Sequence, residues 1–161
     1  MKTILLVRHA KALKCTQNIG DMNRPLVESG ILDALTMGKW LKKNVGTIDL
    51  MVSSPASRAY ATALAIAQQA DYPLNKIKLN KNLYECGEEA YVDLISSFKE
   101  EQKTVAMVGH NPDISFAANY FIKDFHEEMP TTGVIGIEFE VKRWEDIKRY
   151  SGRLKFFETP Q

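Results

Sequence analysis

Cysteine is scarce in this 161-residue chain: Cys15 and Cys86 are the only two, and no Cys-x-x-Cys occurs. That argues against a disulfide scaffold or a four-thiolate zinc site, and it makes a reducing compartment, the cytoplasm, the expectation. Charge of one sign is also lacking. Lys and Arg number 21 against 20 Asp and Glu, a formal net charge of +1, so no surplus of cations is available to neutralise a nucleic-acid backbone. Long apolar runs are missing too. Ile4-Leu5-Leu6-Val7 falls short of the ~7–15 residues of a signal-peptide core, and nothing later approaches the ~18 of a membrane span. Neither a membrane nor a nucleic acid is therefore expected as a partner. No Gly-x-x-x-x-Gly-Lys-Ser/Thr occurs, which removes a nucleotide P-loop. No set of His, Cys and carboxylate positions has metal-ligand spacing, so neither metal nor cofactor is expected. Without a heptad or an obvious apolar patch, a monomer is the expectation.

What is present is the material of one α/β domain over residues 1–161. Hydrophobic residues make up 45%, enough at this length for a sizeable core. Thr3–Val7, Asp49–Val52 and Thr104–Val108 are short continuous apolar runs, the pattern of strands covered on both faces of a parallel sheet. Helical periodicity lies between them. It places Ile31, Leu35, Gly38, Leu41 and Val45 on one face, Ala59, Ala63, Ile66, Ala67 and Ala70 on another, and Tyr91, Leu94, Ile95 and Phe98 on a third. Ser54-Pro55 and Asn111-Pro112 each read as an N-cap followed by Pro at the first helical position. Ile135, Ile137, Phe139 and Val141 alternate with Gly136, Glu138 and Glu140, which predicts a half-exposed strand near a sheet edge. Alternating strands and helices predict a three-layer sandwich, a mostly parallel central sheet with helices on both faces.

In such folds the ligand sits outside the carboxyl ends of the strands. Arg8-His9 follows the first run, Ser53-Ser54-Pro55-Ala56-Ser57-Arg58 the second, and Gly109-His110 the third. Two of the three histidines of the chain thus stand at buried strand ends, and two arginines, Arg8 and Arg58, stand at such ends with them. Clustered imidazole and guanidinium groups repel when protonated, and an anion between them resolves the conflict. Phosphate fits best, because arginine's planar fork matches its oxygens and a neutral imidazole can act as a nucleophile. A structural turn at Gly-His-Asn-Pro is the plainer account of His110, and a surface residue before Pro25 that of Arg24.

The ordered blocks Leu6-Val7-Arg8-His9-Ala10, Asp21-x-x-Arg24-Pro25-Leu26, Ser53-Ser54-Pro55-x-x-Arg58-Ala59-x-x-Thr62-Ala63 and Val108-Gly109-His110-Asn111-Pro112 resemble the motifs of the histidine phosphatase, or phosphoglycerate-mutase-like, superfamily. They are most similar to its small SixA-type phosphohistidine phosphatase branch, and Pro130-Thr131-Thr132-Gly133 extends the likeness to the last strand. The resemblance implies a phosphoglycerate-mutase-like fold and a metal-independent phosphatase. His9 would become transiently phosphorylated while Arg8, Arg58 and His110 grip the phosphoryl oxygens. It also implies that Arg24 adds a phosphate contact and that Asp21 orients that arginine or helps move a proton. In larger branches a glutamate protonates the leaving group, and Glu85 lies in the matching interval. The substrate would be a phosphorylated protein histidine or a small phosphorylated molecule. Two alternatives remain at this level: a small-molecule phosphomonoesterase of the same superfamily, and a phosphate-binding module without chemistry.

Overall fold

Alternate side chains of the first apolar run go to opposite faces of a single sheet, as strand geometry requires. The computed structural model describes residues 1–160. Its elements in chain order are β1 (Lys2–Arg8), α1 (Glu28–Asn44), β2 (Leu50–Ser53), α2 (Ser57–Gln69), β3 (Lys78–Leu79), α3 (Glu88–Ile95), β4 (Thr104–Gly109), α4 (Asp113–Phe121), β5 (Val134–Phe139) and β6 (Arg153–Glu158). The sheet order is β3-β2-β4-β1-β5-β6. β1, β2, β3 and β4 run parallel, whereas β5 is antiparallel to both β1 and β6.

Ile4 and Leu6 of β1 and Val105 and Met107 of β4 pack with Tyr91 and Ile95 of α3 and Ile114 and Phe121 of α4. Leu5, Val7, Ala106 and Val108 face the other way, onto Met37 and Leu41 of α1 and Ala63 and Ile66 of α2. Two apolar cores therefore sandwich one sheet, and each fully buried Leu or Ile contributes about 1.5–3 kcal/mol. The expected three-layer α/β architecture is observed.

Three local expectations need correction. Ile31 is exposed, and α1 buries Gly30, Ala34, Met37, Gly38 and Leu41 instead. Close approach sets that face: a Cβ on Gly38 would lie 2.8 Å from the Ile66 carbonyl oxygen of α2, and one on Gly30 would lie 2.3 Å from the Lys11 carbonyl oxygen. The two helices after β2 and β4 begin at Ser57 and Asp113, not at the prolines. Ser54 Oγ accepts the Ala56 N–H at 3.2 Å in a tight turn before α2. The Asn111–Pro112 peptide is cis, and the Asn111 side chain binds the Met129 carbonyl and the Ser115 hydroxyl. Finally, β5 does lie next to the sheet edge, but it is buried rather than half-exposed. β6 covers its far edge, and Phe156 lies across Gly136, where an added Cβ would come within 2.4 Å of the ring.

Candidate active site

Register brings the two histidines together. In the parallel pair β1–β4, Arg8 stands opposite Gly109, and in β2–β4, Ser53 stands opposite Val108. The residues that follow, His9, His110 and Ser54, therefore leave the sheet side by side. The His9 and His110 ring centroids are 5.2 Å apart and the rings are tilted by 55°. Gly109 is required by a close approach: a Cβ there would meet the Tyr91 hydroxyl at 1.7 Å. That hydroxyl accepts the backbone N–H of His110 at 3.3 Å and so fixes the exit of β4.

His9 has one ring nitrogen committed. Nδ1 lies 2.7 Å from the Ala10 carbonyl oxygen, which can only accept, so Nδ1 carries the proton. The lone pair of the neutral ring is then on Nε2, where the Arg58 Nε–H points at 3.3 Å. His9 is 8% exposed. Burial, aided by Arg58 and Arg8 and opposed by the Ala10 carbonyl, pushes its pKa down to about 4. His110 falls further, to about 3, through burial first and then through His9 and Arg58. Its Nε2 lies 2.8 Å from Ser54 Oγ. Desolvation, more than the neighbouring guanidiniums, keeps both imidazoles neutral.

Arg58 is buried in the first turn of α2. Its Nη1 donates to the Asp21 backbone carbonyl at 2.7 Å and its Nη2 to Asp21 Oδ2 at 3.1 Å. Arg24 donates from Nη1 to Asp21 Oδ1 at 3.1 Å and from Nε to the Leu13 carbonyl. Tyr84 donates its hydroxyl to Asp21 Oδ2 at 2.5 Å. One carboxylate thus holds two arginines and a tyrosine. The Tyr84 hydroxyl and the guanidiniums keep Asp21 well below the usual carboxylate range, and the same contact pushes the Tyr84 phenol up to about 12. Arg8 donates from Nη1 to the Met129 carbonyl at 2.8 Å. Thr62 Oγ accepts the Ala10 N–H and donates to the Arg58 carbonyl, tying the exit of β1 to α2.

Three buried side-chain atoms lack a hydrogen-bond partner among the described residues: Arg8 Nε, His110 Nδ1 and Thr132 Oγ1. All belong to this rim, since the Thr132 N–H donates to the carbonyls of Arg8 and His9. Donors held ready around two neutral imidazoles suit a tetrahedral oxyanion. No group of three or more His, Cys, Asp or Glu among the described residues could hold a metal ion, and no helix among them is long and apolar enough to cross a membrane.

The structure gathers Arg8, His9, Asp21, Arg24, Arg58 and His110. Glu85 is apart. It is exposed on the turn after Tyr84, at φ 57°, and makes no hydrogen bond or ion pair to these residues among those described. Tyr84, Tyr91, Ser54 and Thr132 have contacts that sequence reasoning did not assign. Ser54 and Thr132 lay in motifs; Tyr84 is a lone aromatic in a polar loop, with nothing in its spacing to mark it.

Comparison with known proteins bears on the fold and the family. A SixA-assigned phosphohistidine phosphatase from Nakamurella multipartitia superposes with a TM-score of 0.87 at 22% identity, over 99% of this chain and 96% of that one. The protein histidine phosphatase SixA complexed with tungstate gives 0.80 at 19%, over 98% and 97%. Mycobacterial glucosyl-3-phosphoglycerate phosphatase Rv2419c gives 0.74 at 15%, over the full length of both. At such identities these likenesses establish the fold. The family follows from sequence: a model described as "Histidine phosphatase superfamily (branch 1)" matches residues 4–118, the span that carries both histidines, and the chain belongs to that superfamily of phosphatases.

Proposed function

We propose that this phosphatase hydrolyses phosphohistidine in two steps through His9. In the first, the Nε2 lone pair attacks phosphorus and the P–N bond pair leaves with the substrate imidazole. In the second, water attacks phosphorus, the P–Nε2 pair returns to His9, and orthophosphate departs. Splitting the displacement is the advantage of a covalent intermediate. Arg8, Arg58 and His110 place positive charge and N–H donors around the equatorial oxygens, Arg24 adds a further contact, and Asp21 orients both Arg24 and Arg58.

The observation that carries this reading is the Nε2 lone pair of a buried, neutral His9 facing the Arg58 Nε–H. The leaving group is chosen by the carboxylates. Asp21 is held ionised by Tyr84, Arg24 and Arg58, and Glu85 faces solvent, so neither is poised as a buried acid. A phosphorylated imidazole, protonated on its free nitrogen, leaves as neutral histidine and needs less help than an alkoxide. A second reading, hydrolysis of small phosphate esters, draws on the fold likeness to the glucosyl-3-phosphoglycerate phosphatase. It would use Glu85 as the proton donor.

The test compares a phosphohistidine-bearing protein with p-nitrophenyl phosphate. Wild type is expected to release phosphate faster from the first, and His9→Ala from neither. An alkali-stable, acid-labile phosphoryl adduct should form on wild type alone. Equal release by wild type and His9→Ala would remove the covalent route. Preference for the ester, lost in Glu85→Gln, would establish the second reading instead.

A further inference from the structure

Tyr84 has no part in the chemistry above, yet it touches both halves of the site. Its hydroxyl lies 2.5 Å from Asp21 Oδ2, and its ring packs edge-on against His110 with centroids 5.4 Å apart at 81°. We propose that Tyr84 is a positioning residue for phosphoryl transfer: through the Asp21 carboxylate it holds Arg58 with the Nε edge of its guanidinium turned toward His9. The inference rests on the phosphatase reading of this pocket.

A guanidinium can offer an oxyanion either of two edges: its end, formed by Nη1 and Nη2, or its side, formed by Nε and one hydrogen of Nη2. In Arg58 the end is taken, with Nη1 on the Asp21 backbone carbonyl and Nη2 on Oδ2. The side faces His9 Nε2. A phosphoryl group in transit on Nε2 therefore meets the Nε edge, and the end edge cannot compete for its oxygens while Asp21 occupies it.

Asp21 is not self-supporting. It lies on a single turn, Asp21–Asn23, with its side chain 36% exposed. Its carboxylate faces Arg58 from α2, Arg24 and the Cys15 thiol from its own loop, and Tyr84 from the loop after β3. Arg24 and Cys15 approach Oδ1. Tyr84 shares Oδ2 with Arg58 and is anchored through its ring against His110, as Arg58 is against His9. It thus ties the segment between β1 and α1 to the segment between β3 and α3 at the point where Arg58 is aimed.

Tyr84→Phe keeps the ring and removes the hydroxyl. Loss of one hydrogen bond to a charged group is expected to lower kcat roughly ten- to a hundredfold, with KM changed less than about threefold. In an Asp21→Asn background the same substitution should change kcat by less than about twofold, because both act through one carboxylate. Additive losses, or a Tyr84→Phe kcat within twofold of wild type, would overturn the proposal. A second measurement stands apart from turnover. The ¹⁵N-detected Arg58 Nε–H signal should be resolved and slow to exchange in wild type and broadened in Tyr84→Phe. An unchanged signal would also overturn the proposal. A wild type that releases no phosphate from any substrate but shows this signal change would reject the phosphatase reading and leave the positioning intact.

Discussion

At His9 a single hydrogen bond decides which nitrogen reacts. The Ala10 carbonyl takes the Nδ1 proton, and burial with two guanidiniums nearby keeps Nε2 bare. The pH dependence follows from the direction of that shift. With a free-enzyme pKa of about 4, His9 becomes protonated, and useless as a nucleophile, only on the acid side. Corrected for substrate ionisation, kcat/KM should rise with pH through about 4 and show no further His9 limb up to neutrality. A limb at the ordinary imidazole value, ~6.5, would mean that His9 is not desolvated. The residues most legible in the sequence were those with charge at a strand end: Arg8, His9, Arg58 and His110. Tyr84 escaped, as did the contact of Ser54 with His110, because a hydroxyl in a loop or turn carries no periodic signature, and its partner is fixed only when two distant segments meet.

Among the elements, the exit of β4 is the most tightly constrained. A Cβ at Gly109 would meet the Tyr91 hydroxyl at 1.7 Å and the Cζ of the same ring at 2.8 Å, so either α3 or the strand end must move. Gly109→Ala is expected to cost about 1–3 kcal/mol of stability and roughly a hundredfold in activity, since His110 shifts with its backbone. Thermal unfolding and steady-state rates would show both. In a Tyr91→Phe background the stability loss should shrink, because the worst overlap is with the hydroxyl; no relief would place the strain elsewhere. Element identity was legible where runs are continuous and buried, as in β1, β2 and β4. β3 was not, being two exposed residues, and β6 hides its pattern behind Arg153, Lys155 and Glu158. The half-exposure expected for β5 failed for the same reason, since the polar strand beside it was invisible.

For the molecule as a whole, the buried imidazoles make stability depend on pH. Both histidines titrate near ~6.5 when unfolded, but only at about 4 and about 3 when folded. Between those values the unfolded chain binds more protons, so stability is full above the unfolded pKa and declines as pH falls below it. The expected slope is about 1.4 kcal/mol per pH unit for each histidine. Urea unfolding at pH 7.5, 6 and 5 would reveal it. Tungstate, which favours charged imidazoles, should restore part of the loss at pH 5. A flat profile in the absence of tungstate would contradict the neutral, desolvated pair.

The central position of β1 bears on how the enzyme is born. Its parallel neighbour β4 ends at Gly109, but its antiparallel neighbour begins only at Val134, after the segment in which Met129 receives Arg8 and Thr132 caps the strand carbonyls. During synthesis a chain extended through residue 118 already holds every imidazole and guanidinium of the pocket, yet its middle strand has one bare flank and Arg8 has no anchor. The central strand therefore gains its second flank, and Arg8 its anchor, only once residues 129–139 have been made.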